Sequence, residues 1–208
     1  MHEIGEECDD GNVTPDDGCS ATCTVYTCHA SPTPLCGLAL QGLLQLREKT
    51  PGKERLKLQW KRVAGASTTA AFGNPVTGTT RAHLCLYDDA GVLVQGYEVD
   101  RAGQQCDVDP CWLANGANGY RYKDPLASAN GITSIAYKAG PSNKGRVEAA
   151  GANAAAKSQL ALPTGVAAAL SGNTHPTIQL STSDGLCLEA TMTETTKDGA
   201  GEYRARKK

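Results

Sequence analysis

Asp9, Asp10, Asn12, Asp16 and Asp17 put four carboxylates and one amide within nine residues, and Gly11 and Gly18 let the backbone turn tightly among them. Hard cations such as Ca2+ take six to eight oxygen ligands, so this run is a candidate calcium site. The spacing and the missing terminal Glu set it apart from an EF-hand. An acidic solvated loop pinned by cysteines is the other reading of the same residues. Cys8, Cys19, Cys23, Cys28 and Cys36 surround the run, with His29 beside Cys28. Zinc sites use paired C-x2-C spacings, which are missing here, so these cysteines read as disulfides rather than zinc ligands.

The order Gly5-Glu6-Glu7-Cys8-Asp9-Asp10-Gly11-Asn12, then Asp16-Asp17-Gly18-Cys19-Ser20-Ala21-Thr22-Cys23, resembles the Myxococcus-type cysteine-rich repeat. The likeness covers less than a tenth of the chain. It implies a module of a large secreted or surface-bound bacterial protein. That repeat usually opens with a further Cys-Gly-Asp-Gly, which Met1 to Gly5 lacks, so the resemblance implies one missing disulfide partner.

Four more cysteines lie further along. Cys106 and Cys111 enclose Asp107-Val108-Asp109-Pro110 and are expected to close a small local loop. Cys85 and Cys187 fall in two expected strands and make the remaining long-range pair. Five cysteines then stay in the N-terminal segment, and an odd number leaves one free or bonded to another chain. Nine cysteines in 208 residues point to an oxidising, extracellular or cell-surface location.

Catalytic patterns are thin. His2, His29, His83 and His175 are scattered, and no nucleophile elbow, H-E-x-x-H or reactive-cysteine signature occurs. The chain therefore reads as a non-enzyme. His83 is expected on a solvated strand face, and Asp88-Asp89 in a turn. Trp60, Trp112, Tyr120 and Tyr122 could stack on sugar rings, although Trp60 reads better as core. Asn12-Val13-Thr14 is a glycosylation sequon.

The elements that must position these residues are strands. Residues 1 to 36 hold too few apolar side chains for a core, so they form a cysteine-rich appendage ordered by cross-links or metal. From residue 37 to 208 short alternating segments take over, with turn residues between them. The clearest is Arg55-Leu56-Lys57-Leu58-Gln59-Trp60-Lys61-Arg62-Val63, where apolar positions alternate with polar and basic ones. Further strands are expected at Leu38 to Leu46, Arg81 to Tyr87, Val92 to Val99, Tyr120 to Lys123, Ile132 to Lys138, Gly145 to Ala150, Thr177 to Ser181, Leu186 to Thr193 and Glu202 to Arg206. Ten strands without an amphipathic helix predict an all-β protein, an antiparallel β-sandwich or jelly-roll-like domain. Pro163, Gly165 and Gly172 interrupt the alanine runs between 151 and 172, leaving room for one short helical turn at most. With aromatics at 5% of the chain, Leu, Val, Ile and Ala are expected to build the core.

This second region resembles uncharacterised β domains of secreted myxobacterial proteins, through Leu56-Lys57-Leu58-Gln59-Trp60, Leu84-Cys85-Leu86-Tyr87-Asp88, Pro110-Cys111-Trp112, Gly119-Tyr120-Arg121-Tyr122-Lys123-Asp124 and Cys187-Leu188-Glu189-Ala190. That likeness implies no activity.

A net charge of −2 gives no reason to expect nucleic acid, and no apolar run is long enough to span a membrane. Nor does Met1 open a signal peptide, so an export signal is expected to have been removed or the natural chain to extend upstream. Residues 1 to 46 carry seven acidic side chains (Glu3, Glu6, Glu7, Asp9, Asp10, Asp16, Asp17) and no Lys or Arg, whereas Arg204-Ala205-Arg206-Lys207-Lys208 ends the chain basic. Such opposition favours head-to-tail contact between copies. The expected function is a secreted, self-associating structural or adhesive protein, a fibre subunit with calcium-assisted junctions. The alternative is a monomeric module of a larger cell-surface protein that binds glycans or another ligand, such as a matrix polysaccharide.

Overall fold

Alternation along residues 55 to 63 becomes a strand with Leu56, Leu58 and Trp60 pointing inward and Arg55, Lys57 and Lys61 outward. The computed structural model describes residues 28 to 141, 143 to 152 and 162 to 208. In chain order the strands are β1 (Gly37–Arg47), β2 (Arg55–Val63), β3 (Ala82–Tyr87), β4 (Leu93–Val99), β5 (Gln105–Cys106), β6 (Asp109–Pro110), β7 (Trp112–Ala114), β8 (Gly119–Lys123), β9 (Ile132–Lys138) and β10 (Gly145–Ala152). After the five-residue helix α1 (Val166–Leu170) come β11 (Thr177–Thr182), β12 (Cys187–Thr191), β13 (Glu194–Lys197) and β14 (Glu202–Lys207). All ten expected strands are present, and the described residues are nearly all β, with one short α-helix and two 3-10 turns. Four short strands, β5, β6, β7 and β13, were not foreseen.

Twelve of the strands make one curled sheet folded over on itself, and β5 and β6 pair separately as a two-stranded ribbon. The order in the large sheet is β4-β3-β11-β12-β1-β2-β10-β9-β8-β7, with β14 also on β1 and β13 on β14. Strand β1 joins the two halves. Gly37 and Leu38 run parallel to β12, whereas Gly42 to Arg47 pair antiparallel with β14 and β2. One layer is thus β4-β3-β11-β12, and the other is β13-β14-β1-β2-β10-β9-β8-β7. Leu84, Leu86, Ile178, Leu180 and Leu188 face inward from the first. Leu44, Leu58, Trp60, Val147 and Tyr137 meet them from the second, in one buried cluster. Removing such apolar area from water, at about 25 cal/mol per Å2, is the main force holding the layers together.

Between Trp60 and Val63 the two-residue period fails, and a β-bulge accounts for it. Arg62, with φ 56°, is an extra residue relative to β10, so Gly145 pairs with Val63 while Arg146 pairs with Lys61. The bulge returns Val63 to the buried face.

Two sequence expectations about side chains need correction. Aromatics are few but are spent almost wholly in the core: Trp60, Phe72, Tyr87, Tyr97, Trp112, Tyr122, Tyr137 and Tyr203 are all buried. Phe72 stacks on Tyr137 at 4.7 Å, and Trp112 lies against both Tyr137 and Tyr122. The sugar-stacking platform is therefore absent, since Trp60, Trp112 and Tyr122 turn inward and only Tyr120 is partly exposed.

Candidate interaction surface

The pairing of Cys85 with Cys187 does not occur. Cys85 bonds Cys28, and Cys187 bonds Cys36. Strand β11 lies between β3 and β12, which separates Cys85 and Cys187 by two strand spacings of about 4.8 Å, beyond disulfide reach. Cys106 and Cys111 do close the expected local loop. Three disulfides among the described residues fit an oxidising compartment. Six of the nine cysteines are thereby assigned, and Cys8, Cys19 and Cys23 lie outside the described residues.

Residues 28 to 36 consequently form a strap across the outer face of the first layer. Besides its two disulfides, the strap docks by backbone. Gln179, buried on β11, accepts from the Thr33 N–H through Oε1 at 2.9 Å and donates to the Thr33 carbonyl through Nε2 at 2.7 Å. The same Nε2 reaches Glu189 Oε2 at 2.7 Å. Leu93 N–H donates to the Ala30 carbonyl, and Cys28, Cys85, Tyr87 and Leu93 make a small apolar cluster beneath. Burial there pushes the Tyr87 phenol up to about 12, aided by the Glu189 charge.

His83 also sits on this outer face, but it is not solvated as expected. Its side chain is 12% exposed, with Nε2 3.6 Å from Glu98. Burial lowers its pKa, and the nearby Glu98 carboxylate opposes that shift. Asp88 and Asp89 do form the hairpin turn between β3 and β4. Asp88 Oδ1 accepts from Ala90 and Val92 N–H, while Asp89 accepts from Thr174 and His175 N–H across a loop. Burial raises the Asp89 pKa somewhat, but those backbone bonds dominate and hold it below the usual carboxylate range.

The outer face of the second layer is of another kind. Antiparallel register sets its side chains in rows across the strands. Lys61 on β2, Arg146 on β10 and Lys138 on β9 stand directly opposite one another. Arg47 on β1 faces Arg55 on β2, and Arg121 and Lys123 extend the face on β8. Like charges directly opposite in a sheet are destabilising. At the β14 edge the cations are answered: Arg206 meets Glu194 at 2.5 Å, Lys208 meets the same carboxylate at 2.8 Å, and Arg47 meets Glu202 at 3.4 Å. Hydrogen bonds from Arg206 and Lys208 hold the Glu194 pKa down at about 2. Toward the centre they are not. Arg55, Lys57, Lys61, Arg121, Lys123, Lys138 and Arg146 have no ion pair among the described residues, and Glu148 lies among them unpaired. A groove of about 450 Å3, lined by Arg47, Arg55, Lys57, Gln59 and Glu148, opens on this face. A smaller depression of about 180 Å3 beside Lys61 adjoins it at Gln59.

The basic C-terminal run is therefore a strand of the second layer rather than a tail, and the larger positive surface is the sheet face beside it. Sequence reasoning saw the alternating cations of β2 but missed the rows, which depend on register between strands far apart in the chain. The expected calcium ligands Asp9, Asp10, Asn12, Asp16 and Asp17 lie outside the described residues. Among the described residues no group of His, Cys, Asp and Glu side chains gathers as a metal site would require, and no helix is long and apolar enough to cross a membrane.

No family model matches the chain, and neither does a curated protein or a solved structure.

Proposed function

We propose that this chain is an extracellular, non-enzymatic structural or adhesive protein that self-associates, a subunit of a fibre whose copies join head to tail. The observation behind the reading is the strap. Cys28 and Cys36 are both spent in bonds to the β layers, so the segment before residue 28 is tethered at the outer face of the first layer and keeps three cysteines, an odd number. The three cysteines before residue 28 cannot all pair with one another, and on this reading the one left over bridges two copies. The likeness to the Myxococcus-type repeat fits a secreted setting, and calcium at Asp9, Asp10, Asn12, Asp16 and Asp17 would stiffen the junction by neutralising clustered carboxylates.

Non-reducing peptide mapping of the native protein tests this directly. The expected result is a disulfide joining Cys8, Cys19 or Cys23 of two copies, together with polymers in electron micrographs that shorten on chelation. A chain that stays monomeric by light scattering up to millimolar concentration, with or without calcium, refutes it.

A further inference from the structure

We infer that the basic outer face of the second layer is the receiving surface for the acidic N-terminal segment of another copy, with Lys61, Arg146 and Lys138 as the central contact. This rests on the self-association proposed above and names the two surfaces that would meet. Three observations lead to it.

The first is the face itself. Three cations in one cross-strand row, and two more opposed as Arg47 and Arg55, repel one another in the isolated chain. A polyanion laid across the rows removes that repulsion and adds charge-assisted contacts, so binding gains twice. Seven of the face's cations lack an acidic partner among the described residues. The segment from Glu3 to Asp17 offers seven carboxylates and no Lys or Arg.

The second is placement. The acidic segment joins the fold at Cys28, bonded to Cys85 on the outer face of the first layer. The cations lie on the outer face of the other layer, beyond the whole core. A segment attached at the outer face of one layer and a receiving surface on the outer face of the other are two different surfaces, and their contact is heterologous, the kind that builds rings or open rows of copies.

The third is spacing. Neighbouring strands stand about 4.8 Å apart, and alternate residues along a strand about 6.8 Å apart. Glu3 and Glu7, four apart in the sequence, would share one side of an extended peptide about 13.6 Å apart, the separation of Lys57 and Lys61 along β2, so a segment in that conformation would meet several cations at once.

The experiment is zero-length carbodiimide coupling of the full chain, using an equimolar mixture of unlabelled and 15N-labelled protein, followed by mass spectrometry. The expected products join Glu3, Glu6 or Glu7, the carboxylates outside the proposed calcium ligands, to Lys57, Lys61 or Lys138 in peptides of mixed isotope. Substituting Lys61→Gln, Arg146→Gln and Lys138→Gln together is expected to weaken association by at least tenfold, whereas Lys61→Arg with Lys138→Arg preserves it. If wild-type chains assemble but the triple variant assembles equally well, the receiving surface is wrong while self-association stands. Cross-links within one isotope alone would show that each segment lies on its own chain, overturning the inference. Lysine-dependent retention on polygalacturonate by a chain that never self-associates would overturn both it and the reading beneath it.

Discussion

The two outer faces of this sandwich were met by opposite solutions. On the first layer the chain covers its own sheet: the strap fills the face, two disulfides pin it, and Gln179 satisfies both backbone groups of Thr33. On the second layer nothing among the described residues covers the rows, and charges that repel are left opposite each other. The contrast separates two kinds of constraint. A face that stabilises the fold is saturated from within, whereas a face kept at some cost to folding is the one offered to a partner in the proposal above.

Substitutions should split along the same line. Replacing Cys36 and Cys187 by Ser opens a loop of 151 residues and is expected to lower stability by about 5 kcal/mol in the chain-entropy view, and replacing Cys28 and Cys85, 57 residues apart, by about 4 kcal/mol. Urea unfolding midpoints measure both. Gln179→Leu leaves the Thr33 N–H and carbonyl without their partner and should cost about 1–3 kcal/mol. The sign reverses on the other face. Neutralising Lys61, Arg146 and Lys138 together is expected to raise folding stability by about 0.5–1 kcal/mol at low salt, a gain that fades in molar salt as screening removes the repulsion. A loss of stability there would end the comparison.

The smallest effect is a pH response on the strapped face. His83 lies next to Glu98, with Arg81 and His29 near, and burial depresses its pKa below the unfolded value of about 6.5. Between the folded and unfolded pKa the unfolded chain binds more protons, so stability rises with pH through that window. It is complete above about pH 6.5 and declines as pH falls below it. His83→Gln should flatten that slope in unfolding curves measured from pH 7 to pH 5.

Much of the first-order architecture was readable in residue order, because alternation such as Leu56, Leu58 and Trp60 against Arg55, Lys57 and Lys61 states which face is buried. The long-range cysteine pairing was not. It depends on which strands are neighbours, and nothing near Cys85 in the chain announces that β11 will separate it from Cys187. The basic face was half legible for the same reason. Lys61 shows its outward direction locally, but its alignment with Arg146 and Lys138 follows from antiparallel register and from the extra residue at Arg62. Buried tyrosines were obscured by composition, since a low aromatic fraction does not say where the aromatics go.

The strap also fixes where force enters the molecule. Tension applied through the N-terminal segment reaches the sheet at the Cys28–Cys85 bond, inside β3, which is hydrogen-bonded on both sides by β4 and β11. Pulling thus loads three strands together, and β1, whose Gly37 and Leu38 make only a brief parallel contact with β12, is shielded. Under reducing conditions the load would pass along the strap to β1 and peel the chain residue by residue. The bridge at Cys28 therefore decides which strands a pull on the N-terminal segment would reach first.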